Sequence, residues 1–479
     1  MTTLLWFRQD LRLRDNPALV AAAGRGPVVP VFILDTSDAN WAPGGASLWW
    51  LHHSLAALRD RLGALSLFKG DPRVLLPKIA RASGATSVHW NRSYEPHAIA
   101  RDTDIKAALK ELGVEAQSFN AALLHEPWQI ETGSGGPFKV FTPYWRVAAA
   151  KASAAPLPPP SSIAAQDVAG GDRLDDWRLL PRKPDWAAGW ERLWTPGEAG
   201  ALDRFEAFVA DDLARYGDER DRPDLQSTSR LSPHLHWGEI SPRQIATHLA
   251  LAAEDNPAIR AGANKFMSEI GWREFAHHLL YHYPSLPDRN WRAGFDAYPW
   301  RDSPADLEAW QRGQTGYPFV DAGMRELWQT GFMHNRVRMV AASFLVKHLR
   351  IDWRQGEQWF WDTLLDADLA NNAAGWQWVA GSGADASPYF RIFNPVLQGE
   401  KFDPDGDYIR RWCPELKGLN NADIHAPFKA KADALARAGV ELGKTYPRPI
   451  VDHDAARQAA LAGYREVKDG AVRPSASGR

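Results

Sequence analysis

One cysteine in 479 residues, Cys413, leaves no internal disulfide framework and fits a reducing compartment such as the cytoplasm. No apolar run of about 18 residues occurs, which argues against a membrane-spanning helix. The opening MTTLLWFRQD has no basic flank leading into a long apolar region, so a secretory signal has no support either. An excess of charge is missing too. Lys and Arg total 56 against 58 Asp and Glu, so any nucleic-acid site must be a local basic patch. No G-x-G-x-x-G follows the first apolar strand, and no G-x-x-x-x-G-K-[ST] occurs anywhere. These absences disfavour a nicotinamide dehydrogenase and a P-loop enzyme. The lack of a G-x-S-x-G elbow removes support for a serine hydrolase.

What is present is ordered. TLLWF, VVPVFILD, LSLFKG and TSVHWN are four short apolar strands, and helical patterns at 16–25, 45–63, 72–84 and 95–113 alternate with them. Pro17 and Pro72 suit first helical turns, and Gly63, Gly84 and Gly113 suit C-terminal caps. Strand alternating with helix predicts a doubly wound parallel sheet, Rossmann-like, over residues 1–130. Residues 131–199 turn rich in Ala, Pro, Ser and Asp and read as an inter-domain linker, pinned by Trp177, Trp186, Trp190 and Trp194. From about 200 the periodicity is helical. Helices are predicted near 202–216 and at 241–253, 261–282, 304–312, 319–330, 334–349 and 355–370, giving an all-α domain over 200–466. Residues 467–479 read as a disordered tail.

Tryptophan is the compositional outlier, with 23 residues. Trp353, Trp359, Trp361, Trp376 and Trp378 stand among Asp362, Asp366, Asp368, Asn371 and Asn372 in WRQGEQWFWDTLLDADLANNAAGWQW. Short carboxylates and amides beside indoles are costly to bury unless partnered, and a flat aromatic ligand rimmed with hydrogen-bonding atoms would partner them. Space-filling indoles on a helix and a loop are the plainer alternative. In the segment 216–244, Thr228, Ser229 and Ser232 with the amides near Arg230 and Leu231 suit either a phosphate cradle or an ordinary capping loop. His277, His278 and His282, and separately His234 and His236, lack metal-ligand spacing, so no metal is expected.

WFRQDLRLRDNPAL, T-S-R-L-S at 228–232, EIGWREFAHHLLYH, FMHNRVRMVAASF and the D-A-D stretch with FRIFNP and QGEKFD closely resemble the DNA photolyase and cryptochrome family, in order and over residues 4–466. Within it the likeness is greatest to bacterial enzymes that repair cyclobutane pyrimidine dimers. The resemblance implies an N-terminal antenna domain and a C-terminal FAD-binding domain. It also implies one reduced FAD that passes a light-driven electron to a flipped-out dimer in UV-damaged DNA.

The resemblance also assigns roles. Tyr216, Thr228, Ser229, Arg230, Leu231 and Ser232 would hold FAD, with Asp366, Ala367, Asp368 and Asn372. Arg338 would pair with Asp366, and Asn372 would sit at the flavin N5 edge. Glu269, Trp272, Asn335, Met339 and Trp378 would form the lesion pocket. Trp376, Trp353 and Trp300 would relay electrons. Arg220, Arg273, Arg336, Arg391 and Lys401 would meet DNA beside Glu269, Trp272 and Asn335. Two other classes are separable by experiment. A cryptochrome-like sensor binds FAD without repair, and a generic nucleotide-binding enzyme shares only the α/β half. The antenna pigment stays open between methenyl-folate, deazaflavin and none. Tyr94 and Glu95 resemble a folate site, but Pro287–Asp288 replaces a cysteine–lysine pair, and Leu48 stands where relatives carry arginine near a deazaflavin. A monomer is the default expectation.

Overall fold

The computed structural model describes residues 1–37, 40–385 and 390–472. They group into two compact units. The first comprises Met1–Gly217, Thr228–Pro284 and Leu365–Ala370, and the second comprises Asp218–Ser227, Ser285–Leu364 and Asn371–Arg479.

The first unit holds a five-stranded all-parallel sheet with order β3-β2-β1-β4-β5. β1 is Thr3–Phe7, β2 Val28–Asp35, β3 Ser66–Gly70, β4 Ser87–Asn91 and β5 Glu115–Phe119. β1 and β4 are wholly buried, as central strands of a parallel sheet must be when helices cover both faces. β5 is absent from the sequence reading because EAQSF is a half-exposed edge strand with no apolar run. Helices Pro17–Ala23, Gly45–Leu62, Pro72–Ser83 and Pro96–Glu111 connect the strands. Asn16 and Asp71 cap the first and third of these through their side chains, and left-handed Gly63 and Gly84 close the second and third.

The arginine-rich turn after β1 is a buried clamp. Arg8 grips Asp102 at 2.9 Å, and Arg12 donates to the carbonyls of Gly238, Asp15 and Ala121. Asp15 in turn accepts from Ser241 and Arg243. Its charged residues therefore tie the sheet to the helices within this unit, which is why arginines occupy a nearly inaccessible stretch.

The compact units do not divide at residues 130 and 200. Residues 131–199 pack within the first unit, through a helix Phe141–Ala150 and backbone bonds from Val28 to Ala164 and from Asp172 to Leu67. Trp177, Trp190 and Trp194 are buried there. The same unit carries helices Glu198–Asp211, Ser232–His236, Pro242–Asp255 and Arg260–His282, around a core that includes Phe205, Phe208, Tyr216, Phe266 and Ile270.

The second unit is helical in its described residues, with no named strand. The segment expected as one helix over 334–349 is an α-helix, Asn335–Ser343, that widens into a π-helical stretch, Phe344–Leu349. The segment expected as one helix over 355–370 is two, Trp353–Thr363 and Leu369–Ala380. Leu364 turns extended, and Asp366, Ala367 and Asp368 lie in the break. Residues 467–472 were expected to belong to a disordered tail, yet helix His453–Val472 runs through them, and Val467 packs with Phe295 and Tyr298. The rest of that tail lies outside the described residues. Among the described residues no helix is long and apolar enough to cross a membrane.

Candidate active site

In the first unit, Tyr216 is buried with its ring edge-on to Phe208 and Phe266. The T-S-R-L-S stretch turns sharply because Arg230 adopts a left-handed φ of 52°, a conformation non-glycine residues hold only under constraint. Ser229 Oγ accepts from the Leu231 amide, and the Arg230 guanidinium lies over the Trp194 ring. Ser232 begins a helix of only five residues, so its dipole is small and an anion there would depend on hydroxyls and local amides. Three hydroxyls on a strained turn suit the oxygens of a pyrophosphate.

Helix Arg260–His282 carries Glu269 and Trp272. Glu269 pairs with Lys265 at 3.3 Å rather than with Arg273. Trp272 is 37% exposed, unusual for an indole on a largely buried helix. Arg273, expected to meet DNA, faces inward in this structure. Its side chain is only 13% exposed and donates to the Ala122 carbonyl at 2.8 Å. Neighbouring helical residues point about 100° apart, so the outward turn of Trp272 directs Arg273 inward.

Arg273 instead lines a polar cleft with Gln9, Asp10, Tyr94, Glu95, His236, His277 and Asp368. Here the histidines find their use. His277 Nε2 faces Asp368 at 3.4 Å while its Nδ1 meets the Arg273 carbonyl at 3.0 Å. A carbonyl and a carboxylate both only accept, so this placement favours the doubly protonated ring. Burial lowers the His277 pKa, but Asp368 overcomes this and raises it, while the Asp368 carboxyl is held well below its ordinary value despite burial. His236 adds a second imidazole at 3.9 Å. Among the described residues no group of three or more His, Cys, Asp or Glu is arranged to hold a metal. The Asp368 side chain is thus engaged with imidazoles. Tyr94, expected near an antenna pigment, donates to Glu126 at 2.7 Å.

In the second unit, Asn335 and Met339 lie one turn apart, with Nδ2 and Sδ 4.0 Å from each other. Arg336 is held by Asp221 at 2.6 Å and lies over the Phe402 ring, and Arg338 Nε donates to the Met333 carbonyl. Asn372 Nδ2 donates to the Glu357 carbonyl at 3.0 Å, which leaves its own carbonyl oxygen as the end that accepts. Glu357 itself was not singled out by sequence. Burial and then Asp288 push its carboxyl pKa well up. Trp353 is fully buried and donates to Asn290, Trp376 packs on Trp310 and Phe360, and Trp300 packs on Tyr298. Gly356 is required beside Trp376, since a Cβ there would stand 2.1 Å from the indole. Trp378 Nε1 donates to the Asp385 carbonyl. Arg391 and Lys401 are exposed.

A parallel antenna-type sheet without phosphate-binding glycines, followed by a helical region whose amides, hydroxyls and indoles suit a flavin nucleotide, defines a flavoprotein of the photolyase–cryptochrome class. Comparison with known proteins agrees. Residues 3–161 match the family described as DNA photolyase, and residues 266–466 match the FAD binding domain of DNA photolyase. The chain is 54% identical to the deoxyribodipyrimidine photo-lyase of Agrobacterium fabrum, over 97% of this chain and 98% of that one. Cryptochrome-1 of Arabidopsis thaliana is 39% identical over 95% of this chain and 69% of its own length. The crystal structure of a bacterial class III photolyase from Agrobacterium tumefaciens matches with a TM-score of 0.94 at 53% identity, covering 98% of each chain. The chain belongs to the DNA photolyase family, and FAD is its cofactor.

Proposed function

We propose that this protein is a cytoplasmic, monomeric deoxyribodipyrimidine photo-lyase that repairs cyclobutane pyrimidine dimers in UV-damaged DNA. The observation that carries the choice of lesion is the Asn335–Met339 pair. An amide does not ionise at neutral pH and a thioether has no proton to give, so neither is an acid catalyst. Opening a cyclobutane ring needs no obligatory proton delivery, whereas repair of a (6-4) photoproduct does. Reduced FAD bound here would supply the light-driven electron transfer that opens the ring, with no net change in its oxidation state.

The protein's own residues bind and orient. Tyr216, Thr228, Ser229, Arg230, Leu231, Ser232, Asp366, Ala367, Asp368, Arg338 and Asn372 are the residues that would hold FAD, and the Glu357 carbonyl fixes the Asn372 amide with its acceptor oxygen presented. The amide of Asn372 itself adds no negative charge against a reduced ring. The exposed face of Trp272 offers a stacking platform to the flipped-out pyrimidines, and Trp378 provides a second indole. Glu269 and Asn335 offer hydrogen bonds, and Met339 a polarizable apolar wall. Trp376, Trp353 and Trp300 relay electrons when oxidised FAD is photoreduced. Arg220, Arg336, Arg391 and Lys401 meet phosphates.

A light sensor without repair activity is the second reading, supported by the likeness to plant cryptochromes. Illumination of the reduced enzyme with a dimer-bearing oligonucleotide separates them. Restored pyrimidines support repair, and an unchanged strand beside bound FAD supports the sensor.

A further inference from the structure

Trp272 does not stand alone on its helix. The Phe141 ring, at the start of helix Phe141–Ala150, lies 3.8 Å from the Trp272 ring with the planes 10° apart. Trp145, one turn further on, lies 6.5 Å from Phe141 and 8° from its plane. Three aromatic planes are therefore nearly parallel. Phe275 braces them from the side, at 65° to Phe141 and 73° to Trp272. Phe141 is buried, whereas Trp272 is more than a third exposed.

The sequence has made room for this packing. A Cβ on Gly271 would sit 2.5 Å from Trp145 Cε3, so only glycine before Trp272 lets Trp145 approach. Nothing in the helix itself requires glycine, which lowers helix propensity in an interior position. The glycine serves the aromatic stack.

We propose that Phe141 is a positioning residue for lesion recognition. Stacked on Trp272, it holds the indole plane against which the flipped-out pyrimidine pair stacks. The inference rests on the reading that Trp272 contacts the lesion. An exposed indole with free χ angles must lose that freedom when it stacks on a ligand, whereas one already packed on a buried ring has lost it in the free protein. A face-to-face phenyl ring fixes the tilt of the indole, and a branched aliphatic side chain of similar volume does not.

The test uses the FAD-bound enzyme and an oligonucleotide with one cyclobutane dimer, comparing wild type with Phe141→Leu, Phe141→Tyr, Trp272→Ala and the double variant Phe141→Leu/Trp272→Ala. FAD content and affinity for the undamaged strand report on folding and on phosphate contacts. Phe141→Leu is expected to weaken dimer binding about fivefold, with both controls unchanged. Phe141→Tyr should restore wild-type affinity, and Phe141→Leu should add nothing once Trp272 is alanine. If Phe141→Leu loses FAD, Phe141→Met replaces it with the same expectation. Wild-type dimer affinity in Phe141→Leu, beside a weakened Trp272→Ala, overturns the inference alone. An equal loss from Phe141→Leu with and without Trp272 also overturns it, because the ring would then act elsewhere. Unchanged affinity in Trp272→Ala removes the reading of Trp272, and the inference falls with it.

Discussion

Lys347 is a buried amine, and replacing it with methionine has a calculable consequence. It lies in the π-helical stretch Phe344–Leu349, buried, with its amine donating to the Arg391 carbonyl and lying over the Phe390 ring at 4.5 Å. Burial, and then the positive charge of Arg391, bring its pKa from 10.5 down to about 7. Unfolded, the amine stays protonated up to about pH 10.4. Between these values the unfolded chain binds a proton that the folded one does not, so stability rises with pH through this window. Burying the group therefore costs about 4 kcal/mol at pH 7 but about 2 kcal/mol at pH 9. Lys347→Met removes that pH-dependent cost and loses one hydrogen bond, a nearly constant debit of about 1 kcal/mol. Urea unfolding of both proteins at pH 7 and pH 9 gives the comparison. The variant should be the more stable at pH 7, with its advantage shrinking by about 2 kcal/mol at pH 9. A difference in stability that does not change with pH would refute the reasoning.

Asn372→Asp puts a carboxylate where an amide donates to the Glu357 carbonyl, so the new acid meets an acceptor. Reduced flavin should reoxidise faster in air, as stopped-flow absorbance would show. Trp353→Phe keeps an aromatic ring but removes the N–H bonded to Asn290. It should block photoreduction of oxidised FAD while leaving repair by chemically reduced enzyme within about twofold, because the relay serves only the first process. Arg336→Ala should flatten the slope of log affinity against log salt by about one unit. The Asp221 partner makes this test informative, since an arginine that stays paired in the complex would leave the slope unchanged.

How far the sequence could be read depends on where each signal lies. The buried strands β1 to β4 announce themselves as apolar runs, and Pro17, Pro72, Gly63 and Gly84 mark helix ends because end preferences are local chemistry. β5 escapes because an edge strand shows no such run. The break at Leu364 is masked by Leu364, Leu365 and Leu369, whose spacing mimics a continuing helix. The motif blocks name most candidate site residues, yet they give no direction to a side chain. Arg273 points inward to Ala122, and His277 and His236 face Asp368. Contacts distant in sequence carry the remainder. Nothing near Trp272 in the chain announces Phe141, and only Gly271 hints that another ring must pass close by.

Two oligonucleotides, one carrying a cyclobutane pyrimidine dimer and the other a (6-4) photoproduct, test the central claim when illuminated with the reduced enzyme and resolved by chromatography. Without an acid at Asn335 or Met339, the account expects light-dependent restoration of the first strand and none of the second. Restoration of the (6-4) strand, or an untouched cyclobutane strand, would contradict it.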